Sequence, residues 1–152
     1  MLRFIQALLT GKSEAGSGGT GERLAAEWLQ RERRFSIVAR NWRNPRDRRE
    51  EIDLVCRDGD VLVFVEVKAR AAGALVPGYY AVDKRKRRAL QRAVGTYLRL
   101  LREKPRTFRF DVVEVNLAGG STATGANGPT TGAQPQILHF ENVPLFSKYF
   151  RG

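Results

Sequence analysis

Residues 51–70 read EIDLVCRDGDVLVFVEVKAR. Two runs of alternating apolar residues flank Asp58-Gly59, and an Asp-Gly pair between such runs is a strong hairpin signal. With Asp58 and Gly59 as the turn, Arg57 faces Asp60, Val55 faces Leu62 and Asp53 faces Phe64. Paired residues, and residues two apart on one strand, project from the same side of a sheet. One face then carries Asp53, Val55, Leu62, Phe64, Glu66 and Lys68. The other carries Ile52, Leu54, Cys56, Val61, Val63, Val65 and Val67, and is wholly apolar. Asp53 and Glu66 become diagonal neighbours at the end of the hairpin away from the turn, with Lys68 next along that edge. A one-residue slip in register separates them, so the face depends on the turn.

Two carboxylates converging within several ångströms repel unless a positive group sits between them. Mg²⁺ or Mn²⁺ meets that need with oxygen ligands and keeps waters for substrate exchange. A neighbouring ammonium positions or deprotonates a water and stabilises charge on a phosphate. These are the parts of metal-assisted phosphodiester hydrolysis. The competing reading is an ion-pair network in which Lys68 neutralises Glu66.

On either side of the hairpin the chain alternates helix and strand signals. The Gly/Ser-rich stretch 11–21 reads as a flexible lead-in. A helix follows, with Thr20 as N-cap and Leu24, Ala25, Trp28 and Leu29 at helical spacing. Residues 35–42 read as a strand and the Arg- and Pro-containing stretch 43–50 as a loop. After a loop at 71–82, a helix from about Asp83 to Lys104 carries Leu90, Ala93, Val94, Tyr97, Leu98 and Leu101 as its apolar stripe, and Pro105 ends it. Strands are expected over 107–117 and 136–143. Between them, AGGSTATGANGPTTGAQP is low in complexity and reads as a disordered insertion at about 118–135. The expectation is an α/β domain with a mixed sheet in the order αβββαββ. Residues 1–19 form a flexible N-terminal segment and 20–152 a single domain.

Glu22 lies at the margin of the first helix's buried face. That position suits a site carboxylate, or an acid favoured near a helix N-terminus.

The 152 residues suffice for one core, with 42% hydrophobic and 28% charged residues. Lys and Arg number 27 against 16 Asp and Glu, a formal charge of +11, which points to a polyanionic partner. The cations cluster. DKRKRR at 83–88 sets Lys84, Arg85, Lys86, Arg87 and Arg88 at a helix start, where they oppose the macrodipole until an anion docks. Arg40, Arg43, Arg46, Arg48 and Arg49 surround Trp42, which either stacks on a base or belongs to the core. Arg70 extends the basic surface. A solvated basic surface is the alternative for these runs. Cys56 is the one cysteine, which excludes a disulfide framework and fits a reducing cytoplasm. The opening MLRFIQALLT is too short to span a bilayer; a peripheral membrane role is the alternative for it, disfavoured because the segment has little cationic character, and no membrane partner is expected. His139 has no sequence neighbour suited to catalysis and reads as structural or solvated.

Taken in order, GE at 21–22, RNWR at 40–43, EIDLV at 51–55, VFVEVKAR at 63–70, Lys86, RFDVV at 109–113 and the closing ILHFENV resemble the YraN-like family of bacterial proteins. Where the family usually has glycine before Glu51, this chain has Glu50. That family is similar to the restriction-endonuclease-like nucleases and to archaeal Holliday-junction resolvases. The resemblance implies a mixed central sheet flanked by helices, Asp53 and Glu66 as metal ligands, Lys68 as the catalytic lysine and Glu22 as the helix carboxylate of the site. It implies a metal-dependent endonuclease acting on DNA rather than RNA, with branched or damaged DNA as substrate. Cutting two strands favours a homodimer. The alternative is a nucleic-acid-binding module with the same fold and no catalysis.

Overall fold

The computed structural model describes residues 17–71, 84–117 and 135–146. Its hairpin forms with the turn one residue further on than the sequence predicts. Strand β2 (Asp47–Asp58) and strand β3 (Val61–Ala71) pair Asp58 with Val61, Val55 with Phe64 and Leu54 with Val65. The turn residues are therefore Gly59 and Asp60. Gly59 takes φ 56° at the first central position, where a type II′ turn asks for glycine. Moving the turn by one residue moves the partner of each β2 residue by two, so the expected register is corrected while most residues keep their faces. One does not. Ile52 packs with Val55, Phe64 and Trp42 rather than with Leu54 and Val65. The alternation breaks at Asp53, beside Asn41 of the neighbouring strand, whose φ is 49°.

The stretch 43–50, expected as a loop, is mostly strand. Strand β1 (Ser36–Asn44) runs antiparallel to β2 and turns through Pro45-Arg46 alone. Asn44 Oδ1 accepts the Arg46 N–H at 3.0 Å, closing the turn locally. Strand β4 (Thr107–Leu117) lies parallel to β3, and the short β5 (Gln136–Phe140) antiparallel to β4. The result is a five-stranded mixed sheet in the order β1-β2-β3-β4-β5. Strand β5 ends at Phe140, three residues before the expected end.

A parallel β3–β4 pair needs a crossover, and helix α2 (Lys84–Leu100) lies within it. Five of its six expected stripe residues are buried in the helix. The sixth, Leu101, follows its end, four residues short of the expected Lys104. There Lys104 Nζ donates to the Leu98 carbonyl at 2.5 Å, a cation on the last-turn oxygens. Helix α1 (Ser17–Glu32) starts inside the Gly/Ser stretch, so Thr20 lies within the helix and does not cap it. Arg34, at φ 57°, closes its C-terminus, where Phe35 N–H returns to the Leu29 carbonyl at 3.0 Å.

The helices cover opposite faces of the sheet, so both faces are core. Ala25, Ala26 and Leu29 of α1 pack on Phe35, Cys56, Val63, Val65 and Val113. Leu90, Val94 and Tyr97 of α2 pack on Trp42, Val55, Leu62, Phe64 and Val112. The architecture is thus mixed α/β, one sheet between two helices. Among the described residues no helix is long and apolar enough to cross a membrane. Of the expected loop at 71–82, Ala71 instead ends β3, and of the N-terminal segment 1–19 expected to be flexible, residues 17–19 are helix; the rest of both, and most of the insertion at 118–135, lie outside the described residues.

Candidate functional site

The hairpin's β-ladder stops at Leu54 and Val65. The next residues on each strand are Asp53 and Glu66. Beyond that point a side chain replaces the backbone partner: Val67 N–H donates to Asp53 Oδ2 at 2.7 Å. Asp53 is 8% exposed and Glu66 2%. Burial and the adjoining Glu66 charge push the Asp53 carboxyl well above its usual range, against the lowering effect of the Val67 N–H and Lys86.

Two ammonium groups answer Glu66. Lys68 Nζ, one side-chain step along β3, donates to Glu66 Oε1 at 2.9 Å. Lys86 Nζ reaches the same oxygen at 3.2 Å from the first turn of α2. Burial pulls the Lys86 ammonium down, but the Glu66 and Asp53 charges outweigh it and hold its pKa above the ordinary value. Both lysines choose Oε1. Glu66 Oε2 is buried with no hydrogen-bond partner among the described residues. A buried carboxylate oxygen left unpaired is costly, and in native proteins such a group commonly marks a ligand or functional constraint.

Glu22 comes to the margin of this pair because α1 lies hard against β3. A Cβ added at Gly21 falls 2.6 Å from Ala69 Cβ, so only glycine permits that approach without a shift. Burial raises the pKa of the half-buried Glu22 carboxyl. Glu51 and Glu66 raise it further, opposed by a hydrogen bond with Asn41 and by Arg43. Asn41 was missed in the sequence. Asn is among the few residues that tolerate positive φ, but nothing in RNWR marks that strain locally.

The structure thus brings Asp53, Glu66 and Lys68 together, with Glu22 at the edge and Lys86 as an additional member. Among the described residues no group of three or more His, Cys, Asp or Glu side chains gathers as a full metal-ligand set. Two carboxylates, one with an unpaired oxygen, still fit an ion such as Mg²⁺, which takes one or two protein carboxylates and fills its shell with water and substrate.

The remaining cations divide. Arg40, Arg48, Lys84, Arg85 and Arg88 are exposed. Arg43 and Arg49 are exposed but pair with Glu51 at 3.2 Å and Asp47 at 2.9 Å. Arg70 is drawn to the buried Glu114 at 3.6 Å. Arg87 donates to the Pro144 and Leu145 carbonyls at 2.6 and 3.3 Å, tying α2 to the residues after β5. Trp42 is buried edge-on to Tyr97, with centroids 5.2 Å apart, and is core rather than a base-stacking surface. His139 is structural: its buried ring lies 2.9 Å from Asp111 Oδ2 through Nε2. Cys56 is a buried free thiol whose pKa burial pushes up to about 12.

Fold and site together define a single-sheet α/β domain with a buried acidic pair answered by lysines from two different elements. The family model described as "Uncharacterised protein family UPF0102" matches residues 21–115, a stretch that contains Glu22, Asp53, Glu66, Lys68 and Lys86. The chain belongs to that family. A UPF0102 protein of Geobacter metallireducens is 38% identical over 126 residues, covering 83% of this chain and 89% of the relative. One from Anaeromyxobacter dehalogenans is 43% identical over 130 residues, covering 86% and 84%. A third, from Symbiobacterium thermophilum, is 46% identical over 98 residues, covering 64% and 80%.

Proposed function

We propose that this protein is a Mg²⁺- or Mn²⁺-dependent endonuclease with a restriction-endonuclease-like fold. It hydrolyses phosphodiester bonds in DNA, in the cytoplasm, on branched or damaged substrates during repair or recombination. The observation that carries the reading is Glu66 Oε2, buried and unpaired beside a second buried carboxylate whose pKa is raised. A structural ion pair has no use for that arrangement, whereas a cation site does.

Asp53 and Glu66 are the residues that hold the ion. When bound, the ion supplies Lewis acidity to the scissile phosphate and a water of lowered pKa. Lys68 then orients the attacking water or donates to a phosphate oxygen, since its Nζ already sits at the Glu66 carboxylate. Lys86 contributes a second positive charge from the first turn of α2. Glu22 holds an ordered water at the margin. Arg40, Arg43, Arg48, Arg49, Lys84, Arg85 and Arg88 contact the backbone, which gives weak sequence preference and steep salt dependence. Cleavage of paired strands is served by a homodimer.

The test incubates linear, nicked and four-way DNA with the protein and Mg²⁺ or Mn²⁺. Cutting that is absent in Asp53→Ala/Glu66→Ala supports the reading, and no cutting above that control refutes it. One observation favours a second reading, a nucleic-acid-binding module without catalysis: both lysines already neutralise Glu66. That module binds DNA without divalent ions, and its affinity survives Lys68→Ala.

A further inference from the structure

Away from the carboxylate pair, between the tip of the β1–β2 hairpin and the second half of α2, lies a cavity of about 880 Å³. Its lining includes neither Asp53 nor Glu66. The walls are of two kinds. Arg46, Arg92 and Arg99 bring three guanidinium groups, while Pro45, Leu100 and Phe146 bring apolar surface. Leu100 is 58% exposed, an unusual position for a leucine in a wall of this charge.

The cavity is fixed from behind. Glu50, which is buried, accepts from Asn44 Nδ2 at 2.7 Å and from Arg92 Nε at 2.5 Å. That pair joins the hairpin tip to α2 and anchors one edge of the Arg92 fork. Among the described residues the terminal nitrogens of Arg92 hold no hydrogen bond. Gln91 Nε2 donates to the Leu145 carbonyl at 2.6 Å, setting the segment that carries Phe146 against the helix. Arg99 Nη2 is held by Thr96 Oγ1 at 2.9 Å.

Preoriented arginine forks beside apolar surface match a nucleotide, which joins a phosphate to a base whose flat aromatic face stacks on such surface. The volume falls within the roughly 300–1,000 Å³ of small-molecule sites. At 1.5 Å rise per residue, Arg92 and Arg99 stand about 9 and about 20 Å along α2 from Lys86. We propose that this cavity is a second nucleic-acid subsite, holding one phosphate-bearing nucleotide of a strand whose neighbouring phosphates pass Lys86 and the Glu66 site. The proposal rests on the nucleic-acid part of the reading above and is independent of cleavage.

The test measures binding of a labelled single-stranded oligonucleotide to the full chain without divalent ions, over a salt series. Arg46→Glu/Arg99→Glu alters two exposed side chains and leaves the Glu50–Arg92 pair intact. Its affinity is expected to fall at least about tenfold, with the log–log salt slope shallower by about 0.7 for the one phosphate no longer neutralised. Arg106→Glu, an exposed charge outside the cavity, is expected to cost about twofold or less. In parallel, dTMP added to the labelled protein shifts the Gly95 and Thr96 amide resonances, and inorganic phosphate shifts them less because it lacks the base. Equal losses in the cavity variant and in Arg106→Glu overturn the subsite. So does dTMP binding that leaves Gly95 and Thr96 unmoved, or that occurs while the cavity variant retains full oligonucleotide affinity. Oligonucleotide affinity lost in Lys84→Glu/Arg88→Glu but kept in the cavity variant also removes the subsite, and leaves the endonuclease reading standing.

Discussion

Asp111 and Glu66 are both buried acids, one residue apart in register on paired strands, yet they live under opposite conditions. Val65 pairs with Asp111 and Glu66 with Val112, so the two acids leave the sheet on opposite faces. Asp111 is saturated. Arg109 Nε lies 3.0 Å from Oδ1, the Asn142 N–H donates to Oδ1 at 2.9 Å, and His139 Nε2 is 2.9 Å from Oδ2. Burial pushes its pKa up, but the His139, Arg109 and Asn142 hydrogen bonds outweigh that and leave it below the usual carboxylate value. Asp53 and Glu66 crowd each other instead. Asp53 is raised by burial and by Glu66, and among the described residues Glu66 keeps one oxygen without a partner. A carboxylate whose needs are met locks a fold together. A buried carboxylate with a raised pKa, beside another with an oxygen left open, is the kind of pair a functional site keeps.

The largest test of that contrast is Asp111→Ala. It takes the shared acceptor from the buried His139 ring and from the partly buried Arg109, which keeps Asp58 at 3.0 Å, and should cost about 3 kcal/mol in urea unfolding. A loss below about 1 kcal/mol, the worth of an exposed pair, would merge the two clusters into one class.

Gly21→Ala comes next. The new methyl meets Ala69 Cβ at 2.6 Å, so α1 must move and carry Glu22 with it. Overpacking of this kind costs about 1–3 kcal/mol, partly offset by about 1 kcal/mol of helix propensity. Thermal unfolding reads the balance. The same variant should cut DNA more slowly, and unchanged cutting removes Glu22 from the site.

Asp53→Asn should do the reverse and stabilise the protein by about 1 kcal/mol at neutral pH, a gain characteristic of strained functional groups. The amide oxygen still accepts the Val67 N–H, and the repulsion with Glu66 is gone. Signs then separate the two acids on titration. With its folded pKa lowered, Asp111 contributes stability that is complete above the ordinary carboxylate value and lost as pH falls through the lowered one. With its folded pKa raised, Asp53 costs stability at neutral pH, and that cost fades as pH falls through the raised value. The advantage of Asp53→Asn should therefore shrink on acidification, as unfolding at pH 7 and pH 5 would show. A constant advantage denies the raised pKa its cause.

Lys68→Met is the smallest in stability. Glu66, though buried, keeps Lys86 on the same oxygen when Lys68 is lost, so the change should stay within about 1 kcal/mol while cleavage falls to background. Cutting that persists assigns Lys68 to charge balance alone.

Much of this site was legible because strand parity survives a small error. The turn sits at Gly59-Asp60 rather than Asp58-Gly59, yet Asp53, Glu66 and Lys68 still converge. The Arg-rich stretch 43–50 hid strand residues, because its polar composition looked like a loop while its pairing was supplied by the neighbouring strand. Ile52 changed face through an irregularity at Asn41 and Asp53 that no apolar pattern records. The Asp111 cluster and the reach of Lys86 to Glu66 arise between residues far apart in sequence, and only the packed sheet brings them together. The basic run at 83–88 was read as a surface facing a polyanion. In the fold Lys86 turns to Glu66 and Arg87 to backbone carbonyls, so part of its charge is absorbed internally.

The central claim is that the raised Asp53 carboxyl and the unpaired Oε2 of Glu66 together hold a place for a divalent ion. Adding Mn²⁺ to isotope-labelled protein and following the paramagnetic broadening of backbone amides tests this without any nuclease assay. The account predicts broadening centred on Asp53, Glu66 and Val67 that vanishes in Asp53→Asn/Glu66→Gln. Broadening that survives in that variant, or that is absent from these amides in the unaltered protein at millimolar Mn²⁺, contradicts it.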